Sequence, residues 1–177
     1  MVYKVSNSIR LLAFAAIVGA VAVTPLLSAD DNDNSLSETY QDIKEKYIKA
    51  KENTPEGYAS LEEIINMLEK TLQSNLSDGI IYYVRAEAAQ ILGSRTFTDA
   101  KLKERVIKIL IESVNKHRGN PVVLHSSLSA LKPHYDDMNG VNDELKKELG
   151  TLLNKIANGP TNNPQRRIAQ SILGMKN

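Results

Sequence analysis

The sequence predicts an all-α protein of about seven helices behind an N-terminal signal peptide. Three observations lead to this prediction. Apolar residues recur at helical spacing through residues 36–177, helix-capping residues recur at a nearly constant interval, and residues 11–27 form an apolar stretch without charge. The length of 177 residues predicts one domain with or without an appendage. Because the chain has no cysteine, disulfides, thiolate metal sites and cysteine nucleophiles are excluded.

Residues 1–29 have the composition of a secretory signal peptide. A basic start is followed by the apolar residues 11–27 and by small residues that end at Ala29. We expect cleavage after Ala29, which leaves residues 30–35 as a solvated acidic linker. The alternative is an uncleaved membrane anchor, because seventeen apolar residues are close to the minimum length that spans a bilayer.

The charge balance restricts the classes of partner. The chain carries 22 basic and 21 acidic side chains, and this near-neutral balance argues against a nucleic-acid binder. Removal of the two basic residues of the signal peptide leaves 20 basic and 21 acidic side chains, a net charge of minus one. An exported domain without cysteine fits a bacterial periplasm or the extracellular space better than a eukaryotic secretory route. Contact with a membrane is expected only if the signal segment is retained.

Capping chemistry marks the predicted helix starts and stops. Ser60 with Glu63 forms a predicted capping box, and Pro121 and Pro164 stand at first helical positions. The other predicted N-caps recur every 21 or 22 residues: Asp78, Asp99, Asn120, Asn142 and Asn163. Glycines predict the stops: Gly57, Gly119, Gly140 and Gly159. Two such helix units give a period near 42 residues.

A sequence pattern recurs on helices of the same phase. The stretch RAEAAQILG at 85–93 matches RRIAQSILG at 166–174, while LHSSLSALK at 124–132 keeps only the small residues and one leucine. With its two-helix period, this pattern resembles the HEAT repeat, including the HEAT-like repeats of phycobilisome-lyase-type proteins. The resemblance covers residues 78–177, about two and a half repeats, within a helical domain predicted for 36–177. It implies an αα-superhelix of antiparallel helix pairs, whose usual activity is to bind another macromolecule.

The pattern also predicts how the helices pack. Small residues are expected to let neighbouring helices approach closely, and these are Ala88, Ala89 and Ala169. Leucines are expected to fill the space between layers: Leu92, Leu131 and Leu173. Gly93 and Gly174 are expected to release the chain at helix ends.

The sequence shows no catalytic or metal-binding constellation, and it predicts neither a cofactor nor an enzyme. His117, His125 and His134 lack metal-ligand spacing, so we interpret them as structural. The acidic stretches at 30–34 and 136–140 lack the ligands of a calcium loop.

Two predicted helices of the same phase carry a possible partner-binding face. Its candidate residues are Lys101, Arg105, Lys108, Lys147 and Lys155, and Tyr82 on a helix of the other phase is a further candidate. The alternative is a solvated face that is balanced by the glutamates of the same helices. Of Tyr82 and Tyr83, one is expected to pack in the core and the other to anchor an interface.

These features predict an exported, non-catalytic protein that binds other proteins or acts as a scaffold in the bacterial envelope. Its protein partners are not indicated by any motif. Two alternatives remain: a scaffold that is tethered to the membrane by an uncleaved residue 11–27 helix, and a small HEAT-like lyase or enzyme accessory protein.

Overall fold

The computed structural model describes residues 42–75, 81–160 and 164–175, and within these ranges the regular structure is entirely helical. The described residues form seven helices: α1 (42–49), α2 (Pro55–Gln73), α3 (Ile81–Leu92), α4 (Ala100–Lys116), α5 (Pro121–Asp136), α6 (Asp143–Ala157) and α7 (Pro164–Ile172). The all-α prediction is therefore confirmed for this part of the chain. The predicted signal peptide, the acidic linker and the predicted caps Asp78 and Asn163 lie outside the described residues.

The helices pack in two rows. One row contains α3, α5 and α7, and the other contains α2, α4 and α6. The pairs α2 and α3, α4 and α5, and α6 and α7 pack across the two rows. A single cluster of buried apolar side chains runs between the rows from α1 to α7. Each helix from α2 to α7 thus packs against at least two others and buries apolar residues there.

Three predicted helix starts are confirmed by their capping hydrogen bonds. The Asp99 carboxylate accepts from the Leu102 amide at 2.9 Å, and the Asn142 side chain accepts from the Leu145 amide at 2.9 Å. The Asn120 side chain accepts from two amides in the first turn of α5. Side chains that cap a helix satisfy amides that have no partner within the helix, so these residues set where α4, α5 and α6 begin.

The predicted start of α2 is wrong. Thr54 is its N-cap, and the Thr54 hydroxyl accepts from the Gly57 amide at 3.1 Å. Pro55 follows at the first helical position, so α2 begins five residues before Ser60. Gly57 consequently lies in the first turn of α2 and does not end a helix. Thr54 and Pro55 provide the same type of signal as Asn120 and Pro121.

The glycines at helix ends act in two different ways. Gly140 and Gly174 have positive φ angles of 77° and 67°, which glycine adopts without steric cost. Gly93 follows α3 but serves close packing instead. A Cβ on Gly93 would lie 2.6 Å from the Cα of Ala130, so α3 and α5 touch at this point. The small residue is required by the neighbouring helix rather than by the backbone angle.

The predicted interlayer residues are buried to different degrees. Leu92 and Leu131 are fully buried, while Leu173 is half-buried. The three alanines expected at close approaches are also buried: Ala88, Ala89 and Ala169.

In the described ranges, no helix is long and apolar enough to cross a membrane.

Candidate functional site

The predicted basic face is exposed at four of its six candidate positions. The exposed residues are Lys101 and Lys108 on α4 and Lys147 and Lys155 on α6. These four lysines, together with the glutamates beside them on the same two helices, are called the α4–α6 face below. No ion pair joins any of the four lysines to another described residue. Their ammonium groups are therefore accessible to a partner.

Arg105 differs from the four lysines because it is half-buried and bound within the protein. Its Nη2 donates to Glu69 Oε2 at 2.9 Å and to the side-chain oxygen of Asn66, both on α2. The Lys116 ammonium also reaches α2, where it donates to the Gln73 carbonyl. Arg105 and Lys116 of α4 therefore bind α2 and hold these two helices of one row together.

Glutamates balance the lysines of the α4–α6 face. A cleft of about 460 Å³ between α4 and α6 is lined by Lys108, Asn142, Glu144, Leu145 and Glu148. Glu104 Oε1 accepts from the Asn142 amide at 2.7 Å, and this hydrogen bond holds the pKa of Glu104 below its usual value. The face therefore presents both charge signs around a shallow cleft.

Lys103 belongs to the core, although Lys101 and Lys108 on the same helix are exposed. It is only 3% exposed, and its Nζ donates to Asp137 Oδ2 at 2.7 Å and to the Asn139 carbonyl at 3.1 Å. The hydrogen bond from Lys103 lowers the pKa of Asp137. Although the Asp137 side chain is 36% exposed, its ion pair with the buried Lys103 ties α4 to the connection between α5 and α6.

The two tyrosines of α3 occupy different environments. Tyr83 is 50% exposed, whereas Tyr82 is half-buried and packs against the core. The guanidinium of Arg85 lies 5.7 Å from the centroid of the Tyr82 ring. The exposed tyrosine is thus Tyr83, and the candidate residue Tyr82 mainly covers apolar surface.

Two of the three histidines are buried and bind main-chain carbonyls. His117 Nε2 donates to the Leu72 carbonyl at 2.9 Å, and His134 Nε2 donates to the Leu92 carbonyl at 3.0 Å. Burial lowers the pKa of both imidazoles, although the carbonyl contact partly opposes this effect. His125 is exposed on α5.

The Leu92 carbonyl at the end of α3 is a meeting point of three segments. It accepts from the Tyr47 hydroxyl of α1 at 3.3 Å as well as from His134. Phe97 stacks on the His134 ring with a centroid separation of 5.9 Å and meets the Tyr47 ring edge-on at 6.1 Å. Burial raises the pKa of Tyr47, so its hydroxyl stays protonated and donates. These polar groups fix how α1 and α5 sit on the end of α3.

Glu52, in the segment after α1, pairs with Arg95 in the connection between α3 and α4 and also binds the residues just before α4. Arg95 Nη2 donates to Glu52 Oε1 at 3.0 Å, and Arg95 Nη1 donates to the Tyr47 and Ala50 carbonyls. Glu52 Oε2 accepts from the amide and hydroxyl of Thr98 and from the Asp99 amide, at 2.6 to 2.7 Å. Burial raises the pKa of the Glu52 carboxyl, but these hydrogen bonds outweigh it and lower the pKa overall.

Sequence reasoning did not find the roles of Glu52, Arg95 and Lys103. Each is a charged residue whose burial depends on a partner more than thirty residues away. The only local signal is the position of Lys103 beside apolar Leu102 on the inward side of α4.

A second cleft, of about 440 Å³, opens where α1, α3 and α5 meet. Its lining residues are Ile48, Gly93, Ser94, Arg95, Thr96 and Pro133.

In the described part of the chain, no three side chains from His, Cys, Asp or Glu are grouped as they would be to hold a metal ion.

Comparison with known proteins adds no relative. No known protein family matches the chain, and neither a curated protein nor a solved structure is detectably similar to it.

Proposed function

We propose that this protein is an exported, non-catalytic interaction module that binds a protein partner along the α4–α6 face. The observation that carries the proposal is the pair of helix rows, which places α4 beside α6 in one row and brings the exposed lysines of both helices to that row. HEAT-like stacking into an αα-superhelix is part of the proposal, and it is supported by the two-helix period and the sequence pattern at 85–93 and 166–174.

The α4–α6 face is favoured because its charged groups are not all used within the protein. Lys101, Lys108, Lys147 and Lys155 are exposed, and the adjoining cleft adds Glu144 and Glu148. A surface with both charge signs can select a partner through complementary charges and exclude others through like charges. We therefore expect a protein partner with a matching mixed-charge surface.

A binding role is supported over catalysis because the buried ionisable groups are engaged in hydrogen bonds within the protein. His117, His134, Lys103 and Glu52 each hold two parts of the chain together through hydrogen bonds. Side chains with a structural role of this kind are not free to exchange protons with a substrate.

The bacterial periplasm or the extracellular space is proposed as the location, on the composition of residues 1–29. Sequencing the N-terminus of the protein from expressing cells tests this part. A chain that begins at Asp30 supports export and release, whereas a membrane-bound chain that begins at Met1 refutes release and favours the tethered scaffold.

Charge reversal on the α4–α6 face tests the binding site. The protein is crosslinked in envelope extracts, and captured proteins are compared for wild type and the double variant Lys108→Glu with Lys147→Glu. The matched control is Lys44→Glu with Lys51→Glu, which reverses two exposed lysines elsewhere. We expect one partner to be captured by wild type and control and lost from the α4–α6 variant. Equal capture by all three proteins, or capture by none, contradicts the proposal.

A further inference from the structure

Two buried histidines make equivalent contacts, one in each helix row. His117 follows α4 and binds the Leu72 carbonyl in the last turn of α2. His134 lies in the last turn of α5 and binds the Leu92 carbonyl at the end of α3. In both cases an imidazole at the carboxyl end of one helix holds the carboxyl end of its neighbour in the same row.

The hydrogen bonds define the protonation state of these imidazoles. A carbonyl oxygen only accepts, so Nε2 carries the proton and Nδ1 of the neutral ring is unprotonated. Nδ1 of His134 is buried and has no hydrogen-bond partner among the described residues. A second proton at this atom would create a buried N–H without an acceptor and a buried positive charge.

The groups around each ring do not compensate for such a charge. Lys103 and Asp137 act on His134 with opposite signs, and Asp137 is held by the Lys103 ammonium at 2.7 Å. His134 also contacts the Phe97 ring and the Leu92 carbonyl, which carry no charge. The same carbonyl binds the Tyr47 hydroxyl.

The surroundings of His117 oppose a positive charge on its ring even more than those of His134 do. The charged groups that act on it are cations, Arg85 from α3 and Lys116 from its own helix. From α2, the contact is the uncharged Leu72 carbonyl. A protonated His117 would therefore be repelled by its surroundings.

We propose that His117 and His134 are acid-sensitive joints, and that their protonation in mildly acidic solution releases the carboxyl ends of α2 and α3 from α4 and α5. The buried Nδ1 of His134 gains access to water only when α3 and α5 separate at this end. A protonated His117 is repelled by Arg85 and Lys116, so the helix rows loosen at two neighbouring layers. This property goes beyond the proposed binding function and does not depend on it.

The direction of the pH dependence follows from proton linkage. Burial lowers the pKa of both histidines in the folded protein, so the open state binds protons more tightly. Stability is therefore complete above the ordinary histidine pKa of about 6.5 and declines as the pH falls below it. The decline ends at the lower pKa of the folded state. Between these limits the opening constant rises by up to about tenfold per pH unit for each histidine.

Proton titration of the wild-type imidazole signals by NMR is the first test. We expect the pKa values of His117 and His134 to lie below the ordinary histidine value of about 6.5, because burial disfavours the charged form of both rings. Titration of both buried rings at or above about 6.5 overturns the proposal.

Hydrogen exchange locates the opening. Amides near Leu72 and Leu92 are compared at about pH 7.5 and about pH 5.5 after correction for the intrinsic exchange rate. We expect protection at each site to fall measurably at the lower pH, by up to about tenfold for each histidine. If protection is unchanged, or falls equally in all helices, the opening is not local to the two histidines and the proposal is refuted.

Glutamine variants separate titration from packing. His117→Gln and His134→Gln keep an N–H donor but cannot take up a proton, so the double variant should lose most of the pH dependence of exchange. The matched control His125→Gln should retain it. If the double variant keeps the wild-type pH dependence, the histidines are not the joints. The imidazole titration of the wild type remains decisive even if the double variant does not fold.

Discussion

Gly93 and Ala130 bring α3 and α5 into contact closer than any side chain on Gly93 would allow. A Cβ at position 93 would lie 2.6 Å from the Ala130 Cα and 2.9 Å from the Ala130 carbonyl oxygen. Backbone atoms cannot swing away as the end of a flexible side chain can. The two helices have to move apart if position 93 gains a methyl group.

Gly93→Ala is therefore expected to destabilise the protein by about 1–3 kcal/mol, the usual cost of overpacking a well-packed interface. The measurement is the free energy of unfolding in urea. Gly150→Ala on α6 is the matched control, because a Cβ there meets nothing within 4 Å. Alanine is the better helix former, so the control should be stabilised by about 0.5–1 kcal/mol. Equal effects at both positions would show that the contact between α3 and α5 is not tight.

Leu92→Ala should cost about 2–5 kcal/mol, because it removes a fully buried side chain and leaves a cavity between the rows. Ile48→Ala is the comparison, since Ile48 is 51% exposed on α1 and its truncation should cost little. Thermal unfolding distinguishes the two variants. An unchanged thermal midpoint in Leu92→Ala would contradict both the burial of this residue and the proposed stacking of repeats.

Glu52→Gln removes the charge that pairs with Arg95 and places an amide group among hydrogen-bond donors. Because both side chains are largely buried, at 7% and 15% exposure, we expect a loss of about 3 kcal/mol. Glu45→Gln makes the same change in an exposed pair with Lys49 and should cost less than about 0.5 kcal/mol. Urea unfolding at neutral pH measures both, and similar losses in the two variants would rule out a special role for Glu52.

Acid unfolding gives a further expectation for the Glu52 carboxyl. Its pKa is lower in the folded protein than in the unfolded chain, so the unfolded chain binds the proton more tightly. Its contribution is present above the unfolded pKa of about 4.3 and is lost as the pH falls toward the folded pKa. Wild type should therefore lose stability more steeply than Glu52→Gln in this window. Parallel pH profiles would contradict the expected shift.

Thr54→Ala tests the observed start of α2. Loss of the capping hydroxyl that accepts from the Gly57 amide should cost about 1 kcal/mol. Ser60→Ala is the control, because Ser60 lies inside α2 and is exposed. Its replacement should be neutral or slightly stabilising, since alanine has the higher helix propensity. A larger loss from Ser60→Ala than from Thr54→Ala would restore the capping box as the start of the helix.

Local patterns in the sequence were sufficient to find most of the helices and their boundaries. Asp99, Asn120 and Asn142 cap helices as predicted, because a capping side chain acts on amides only two or three residues away. The same reasoning fails at Thr54, because Gly57 predicts a stop at a position where α2 in fact begins. A glycine is tolerated in a first helical turn, and the Thr54 cap with Pro55 outweighs its low helix propensity.

The candidate interaction face could be predicted only in part. The spacing of lysines on α4 identified Lys101 and Lys108, which are exposed, but the same helix carries Lys103 in the core and Arg105 bound to Glu69. Whether a lysine is buried or solvated depends on whether the folded chain places an acidic partner within reach of its ammonium group. For Lys103 that group is Asp137, on a loop that the sequence does not place nearby.

The sequence alone determined the all-α class, the apolar stripes and the caps, since each depends on residues within a few positions of one another. Only the tertiary structure decided which polar groups join distant segments: Gly93 with Ala130, Glu52 with Arg95, and His134 with the Leu92 carbonyl. These contacts join residues that are far apart in the chain, so their geometry exists only after the helices have packed. Burial then determines whether an ionisable side chain stays in contact with water or is paired with an opposite charge, and how far its pKa shifts.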